Sequence, residues 1–542
     1  MLLNKKVQKN INFLHLSWMI LLIQACASMQ QPQGGPKDEQ PPKVLKETPK
    51  NLSTNFINKK ILIEFDEYFK LNNEYTEIAI SPAQENPPLY KIKQKSLEIE
   101  LKDTLEANTT YTINFGNAIA DVNESNKLIN YSYVFSTGKQ IDSLQISGKV
   151  LNSNDNLPFK GATVFIFPIE RDTLFGKKRP AIFTTTDSSG VFSIKNLKEA
   201  TYKIYALKEE SGDRIYNSPK EEIAFLEKPI KLKKDTSNII LKLFKEVPEK
   251  FRVLDRKIET DGRITLIFNK PIKKPSIKFL DNTIKNPIIS YSKNADTTLI
   301  WLRELTFDSL KLVINDQNKI LDTIKITRNK KDNYTRTIKF ESNLLSGKIK
   351  PGTSLELTSN LPLASINKSL VQLMVDSVPQ TNFSFDIIDA NNRVVRVNYP
   401  WRIKKRYTLL FKENAITDIY GTKNKEISLD VELDELENYG NLTLNVDRAD
   451  TSKSYIVQLL NEKKQILKES PINVNTLLNY NTISNGKYFV KVIEDINENE
   501  IYDTGNVKNN LQPEKVWIYD KELIIRPNWD REEKITIPKE FP

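Results

Sequence analysis

Histidine and cysteine are almost missing from this chain. Its 542 residues hold one of each, His15 and Cys26. His15 lies in a stretch with the features of a cleaved leader, and Cys26 stands at the end of that stretch. Once the leader is removed and the thiol is consumed, no imidazole and no sulfhydryl remain. Ser-His-Asp and Cys-His catalysis are then excluded, with every His- or Cys-ligated zinc or haem site. Disulfides are excluded as well, so stability must come from packing. Long apolar runs are also missing: beyond residue 26 no stretch is long enough for a membrane-spanning helix. A dense basic face is the third absence. The formal charge is +11, but the basic clusters at 270–278, 328–331 and 402–406 are short, separated and interleaved with acids. Nucleic-acid binding needs one concentrated basic surface, so no nucleic-acid partner is expected. Oxygen-ligated Ca2+ and carboxylate-pair catalysis survive these exclusions.

What is present begins with the leader. Lys5, Lys6 and Lys9 form a basic segment, and no acidic residue occurs before Asp38. The apolar stretch from Phe13 to Ile23 has the length of a signal-peptide core and is too short to span a bilayer. Leu21-Leu22-Ile23-Gln24-Ala25-Cys26 resembles the lipobox of bacterial lipoproteins, with an aliphatic residue three before the cysteine and a small one just before it. That resemblance implies cleavage after residue 25 and acylation of Cys26, whose sulfur is the nucleophile that takes the lipid. Several acyl chains would hold a large body stably at a membrane. Residues 26–42 are rich in Gln, Pro and Gly without periodicity and read as a flexible tether.

From Lys43 onward the texture is all-β. Short runs alternate apolar and polar residues and are broken by Asn, Asp, Pro or Gly roughly every 8–12 residues. Ile61-Leu62-Ile63-Glu64-Phe65, Leu97-Glu98-Ile99-Glu100-Leu101 and Tyr111-Thr112-Ile113-Asn114-Phe115 each read as a strand with one buried face. Two repeat types emerge. In the first, the strand 60–67 has counterparts at 263–270 and 354–359, each followed by a strand pair: 97–101 with 110–115, 299–302 with 310–314, and 394–397 with 407–411. Two of these run on into Asn117-Ala118-Ile119-Ala120-Asp121 and Asn414-Ala415-Ile416-Thr417-Asp418. In the second type, 144–150 matches 441–446 and the Tyr202-led strand matches the Tyr488-led one; Asp187-Ser188-Ser189-Gly190 forms a turn in the first copy.

Gly34-Gly35-Pro36-Lys37-Asp38-Glu39, Pro41-Pro42, Phe65-Asp66-Glu67-Tyr68, Asn108 to Ile113, Phe135-Ser136-Thr137-Gly138 and Arg526-Pro527-Asn528-Trp529-Asp530 resemble the Ig-like domain-containing lipoproteins of Bacteroidota. The first module of that family resembles the Ig-like domains of S-layer proteins. The expected fold is all-β, a tandem array of immunoglobulin-like and transthyretin-like β-sandwiches behind a lipoprotein signal peptide. The expected segments are 1–25 signal peptide, 26–42 tether, 43–139 Ig-like, 140–245 transthyretin-like, 246–340 and 341–436 Ig-like, and 437–542 transthyretin-like. The resemblance implies a membrane-attached array with no catalytic residues and no cofactor.

One polar constellation has ligand spacing. Asp495, Asn497, Asn499 and Asp503 fall at positions 1, 3, 5 and 9 of a loop, with the Ile501 carbonyl at 7. A hard cation takes a ring of oxygens in that spacing, so these four are the candidate Ca2+ ligands; the plain alternative is a loop of Asx turns. Glu500 replaces the usual glycine at position 6, and Asn506 replaces the bidentate glutamate at 12. The stretch Glu209 to Asn217 keeps the shape of this loop with fewer carboxylates. Trp301, Trp401, Trp517 and Trp529 are candidate sugar-stacking platforms or packing residues. Asp66 and Glu67 are adjacent, so strand geometry sends them to opposite faces and they cannot flank one bond.

The functional expectation is a lipid-anchored, non-enzymatic envelope protein with a structural or adhesive role. The alternatives are a glycan- or protein-binding accessory lipoprotein of an uptake or export system and, third, a carboxylate-based hydrolase. The expected location is the outer membrane, held by the N-terminal lipid. Residues 27–31 carry no acid, which leaves the periplasmic and cell-surface faces both open.

Overall fold

The computed structural model describes residues 38–541 except 83, 85, 219 and 330. The leader, Cys26 and the tether up to residue 37 lie outside the described residues. The described chain is almost entirely β; its one α-helical turn is Glu74–Glu77. It forms two compact units, one ending at Ser143 and one running from Leu144 to the C-terminus.

The first unit is a two-sheet sandwich. Val44–Thr48, Lys60–Phe65, Ser96–Glu100 and Leu89–Lys93 form one sheet in that spatial order, and Ala79–Ser81, Thr110–Asn114 and Ser132–Ser136 form the other. Strict alternation sends Ile61, Ile63, Phe65, Leu97 and Ile99 inward to meet Tyr111, Ile113, Tyr133 and Phe135. The Tyr111 hydroxyl accepts a hydrogen bond from the Glu106 amide five residues upstream, at 2.8 Å. This is the tyrosine-corner device of Ig-like sandwiches, which pins a loop to the core.

The second unit holds four β modules in succession. Residues 253–327 and 340–433 repeat the four-strand order of the first unit: Val253–Ile258, Ile264–Phe268, Thr297–Trp301, Ile288–Tyr291 in one, and Phe340–Ser342, Leu355–Ser359, Val394–Asn398, Ser384–Ile387 in the other. Tyr407 repeats the tyrosine corner, accepting from the Arg402 amide at 2.6 Å. Asp121 and Asp418, which close the two matching Asn-Ala-Ile motifs, are both buried and both accept backbone amides just downstream. The repeat read in the sequence is therefore a repeat of hydrogen bonding.

The other repeat type brackets these two. In each copy the first strand pairs in parallel with the last: Leu144–Asn152 with Thr236–Lys245, and Tyr439–Arg448 with Asp530–Ile537. The first strand also pairs antiparallel with Val191–Leu197 in one copy and with Thr476–Ser484 in the other. Tyr202 and Tyr488, which lead the matching strands, each donate to a carbonyl four residues back, Lys198 and Ser484. Gly148 has no room for a side chain, because a Cβ there would meet the Ile239 carbonyl at 2.0 Å.

Candidate functional site

The two bracketing modules carry the same loop at the same place, directly after the Tyr-led strands Ala200–Lys208 and Gly486–Asp495. In the later loop Asp495 accepts the Glu500 amide at 2.9 Å, Asn499 Oδ1 accepts the Ile501 amide at 2.8 Å, and buried Glu514 accepts the Asp503 amide at 2.9 Å. In the earlier loop Glu209 accepts the Arg214 amide at 2.6 Å, Asp213 accepts the Ile215 amide at 2.8 Å, and buried Glu221 accepts the Asn217 amide at 3.1 Å. The left-handed residues also coincide: Glu498 and Glu500 have φ of 57° and 63°, while Gly212 and Arg214 have 74° and 57°. Each loop is thus pinned by a carboxylate at its start and a buried glutamate at its end.

All four candidate Ca2+ residues lie in the later loop. Asn497 and Asn499 both donate through their amides to Asp503 Oδ2, at 2.6 and 2.7 Å. The two Asp495 oxygens accept the Asn499 and Glu500 amides. The loop is therefore closed by its own hydrogen bonds. Among the described residues no group of three or more His, Cys, Asp or Glu is arranged to hold a metal ion. Burial, opposed by the Asp503 and Ile496 amides and reinforced by the Asp503 and Asp495 charges, raises the Glu514 carboxyl above its ordinary value. Burial likewise raises Glu209.

The two loops diverge between their last two anchors. From Asn217 to Glu221 the earlier chain takes the short route; from Asp503 to Glu514 the later chain inserts an arm. The arm is a tight hairpin in which Asn506 and Leu511 exchange both backbone hydrogen bonds, at 2.8 and 2.9 Å. It reaches the earlier module. Thr504 donates to the Lys245 carbonyl at 2.7 Å, and Gln512 to the Phe225 carbonyl at 2.9 Å. Gly505 lies flat on Phe244: a Cβ there would meet the Phe244 ring at 2.6 Å. The Val507 amide donates to Glu246 at 2.6 Å, and the same carboxylate accepts the Tyr216 hydroxyl of the earlier loop. Glu246 therefore ties one loop to the other. Beside the arm, Tyr502 packs with Ile456, Ile493 and Val516 and donates to Ser153 at 3.3 Å, while Asn156 donates to the Val516 carbonyl at 2.8 Å. Modules more than 250 residues apart in sequence are clasped together.

Residues 38–137 match the bacterial Ig-like domain family. That match spans the first module. The search against curated proteins returns no match. Among solved structures the chain is similar to the Bacillus anthracis TIE protein (13% identity, covering 93% of this chain and 75% of that one, TM-score 0.14). It is also similar to BcpA, the major pilin subunit of Bacillus cereus (10%, 73% and 99%, TM-score 0.14). A third is the Bacteroides ovatus protein SGBP-B of a mixed-linkage glucan utilization locus (12%, 62% and 87%, TM-score 0.17). None of these superposes as a whole, and the fold assignment rests on the sheets and on the matched domain.

In the first module, Asp66 and Glu67 lie just past the strand Lys60–Phe65. Asp66 accepts the Lys43 amide at 2.7 Å, a structural closure of the sandwich edge. Burial and then the Asp66 charge raise Glu67. The tryptophans separate by role. Trp301 is fully buried, and Trp401 and Trp517 pack against hydrophobic cores. Trp529 is 52% exposed, with the Arg526 guanidinium 4.9 Å from its ring. The arm at 504–512 and its partner Glu246 escaped sequence reasoning. The excess length between Asp503 and Glu514, set against the short route at 217–221, is the signal that marks it.

Proposed function

We propose that this chain is a lipid-anchored, non-enzymatic envelope protein that acts structurally or adhesively through tandem β-sandwich modules, held to the outer membrane through acylated Cys26. One observation carries the structural part: the 144–542 unit is cross-braced, with its first and last modules clasped through Glu246 and the 504–512 arm. A set of independent ligand-binding beads has no need of such a brace, because free beads sample more orientations. A braced structural body does need it.

The anchor is tested by intact-mass measurement of the protein purified from its own membranes. Acylation predicts a mature chain beginning at Cys26 with added acyl mass; a chain with residues 1–25 retained and no acyl mass overturns the anchor. The face is tested by protease shaving of intact cells with a tag at the C-terminus. Loss of the tag assigns the cell surface, and protection assigns the periplasmic side. Exposed Trp529 favours a second reading, a glycan- or protein-binding accessory lipoprotein. A glycan array with the full chain, against a Trp529→Ala control, tests it: binding that the control loses favours the accessory role.

A further inference from the structure

Between the third and fourth modules, residues 253–327 and 340–433, runs a seam with an unusual concentration of arginine. The ladder pairing Ile264 with Ile300 sets Arg263 beside Trp301. Ile264 and Leu266 point into the core of their own module, so Arg263, Thr265, Leu299 and Trp301 share the opposite face. That face is covered by the fourth module, whose core takes in Trp301, with Ile288 and Leu299 packed against it. From the fourth module comes Arg393, its guanidinium 4.8 Å from the Trp301 ring and its Nε donating to the Ser359 carbonyl at 2.8 Å. Further along, Arg336 stacks on Tyr420 at 3.7 Å and donates to the Asp261 carbonyl at 2.9 Å.

Charge is unevenly spread along the seam. Near Arg336 stand Asp261 and Asp418, both felt by Tyr420, and the Asp261 carboxylate also accepts the Arg263 amide at 2.9 Å. At the Trp301 end Arg393 lies over the ring and Arg263 stands beside Trp301 on the ladder, and neither guanidinium has a carboxylate at ion-pair distance among the described residues. Burial and then the Arg263 charge hold the Arg393 guanidinium below its ordinary value, against the weaker opposing pull of Asp389 and Glu341. Asp389 is already engaged by the Arg393 and Val394 amides. Two buried donors at this end, Arg263 Nε and Trp301 Nε1, have no hydrogen-bond acceptor. Buried donors are ordinarily satisfied, and like charges are ordinarily separated.

We propose that Arg263 and Arg393 form a binding site for a small oxyanion, the phosphate or carboxylate group of a ligand, at the joint between the third and fourth modules. An oxyanion between the two guanidiniums gives Arg263 Nε an acceptor and replaces repulsion by two charge-assisted hydrogen-bonded pairs. The planar fork of arginine suits both phosphate and carboxylate geometry. Because one arginine comes from each module, the bound anion also ties the joint. This inference does not depend on the lipid anchor.

The test is thermal unfolding of the full mature chain in sodium phosphate or sodium glucuronate, each against sodium chloride at equal ionic strength. Phosphate stabilises many proteins through exclusion from their surface, so the informative quantity is the difference between the parent and Arg263→Met, which keeps the apolar stem. The parent is expected to melt several degrees higher in at least one of the two anions, and Arg263→Met is expected to lose that increment. In chloride alone Arg263→Met is expected to melt no lower than the parent, because the repulsion is gone. A rise with phosphate only assigns a phosphoryl ligand, and a rise with glucuronate only assigns an acidic saccharide. The proposal is overturned if neither anion raises the melting temperature, or if Arg263→Met keeps the whole increment. Arg393→Lys, which retains charge without the fork, is expected to keep only part of the increment; if it keeps the whole of it, the role given to the Arg393 fork is overturned.

Discussion

The loops 209–221 and 495–514 start from one frame and end with different jobs. Both open with a carboxylate that accepts an amide five residues on, both place two residues in the left-handed region, and both end on a buried glutamate. The earlier one closes at once. The later one inserts the arm whose Gly505, Val507 and Gln512 reach the earlier module. The comparison teaches that the hydrogen-bonded frame is the shared device within this chain, while the length between its last two anchors sets whether a module stands alone or reaches a neighbour.

The strongest way to test the shared frame is to remove its terminal glutamates. Glu221 accepts the Asn217 and Ser218 amides, and Glu514 accepts the Ile496 and Asp503 amides. Glu221→Ala and Glu514→Ala should each cost about 2–4 kcal/mol of unfolding free energy, since two buried donors lose their acceptor in either case. Chemical denaturation of the full chain reads both; unequal losses would break the equivalence. For Glu514 the loss should also grow as pH falls. A carboxyl raised in the folded state contributes stability that is complete below its ordinary value of 4.5 and is lost as pH rises through the raised value. The gap between parent and variant is therefore widest on the acid side of that window.

Next in size is the contrast between two glycines. Gly505→Ala pushes a methyl into the Phe244 ring and should cost about 1–3 kcal/mol by overpacking. Gly212 lies in open space, and its alanine variant should lose about 1 kcal/mol through its φ of 74° alone. Small-angle scattering separates the two further: only Gly505→Ala should enlarge the 144–542 unit, by releasing the arm.

Calcium sharpens the comparison at the level of the side chains. The proposal that Asp495, Asn497, Asn499 and Asp503 hold Ca2+ requires the Asn497 and Asn499 side-chain amides to flip, so that their oxygens face an ion beside Asp503 in place of the nitrogens that now donate to that carboxylate. Ca2+ at about ten times its dissociation constant should then stabilise the chain by about 1.4 kcal/mol, and Asp503→Asn should remove the effect. Calorimetric titration that shows no heat, with no shift in melting temperature, would retire the calcium reading. The smallest effect belongs to Lys508, which pairs with Glu249 at 3.1 Å while both side chains stay largely in water, 75% and 54% exposed. Lys508→Ala should cost about 0–0.5 kcal/mol, a value that salt reduces further.

Much of the fold was legible in the sequence because strand alternation is local. The inward set Ile61, Ile63 and Phe65 is visible in Lys60 to Phe65 without knowing what it faces. The repeats were legible for the same reason. Tyr111 and Tyr407, or Tyr202 and Tyr488, each make a hydrogen bond within five residues, so local sequence carries the whole device. The 495–503 loop also showed itself, since its Asx contacts span six residues at most. Glu246 did not. Nothing near it in sequence announces that Val507 is its partner, 261 residues away.

By itself the sequence determined the local grammar of this protein: where strands run, which face each buries and where the chain turns. Those properties depend on residues a few positions apart. Only the tertiary structure decided that the first and last modules of the 144–542 unit meet, and that Arg393 reaches the ring of Trp301, the ladder neighbour of Arg263. Such contacts join residues far apart in the chain, and their partners are fixed by how whole sheets stack rather than by any short-range pattern.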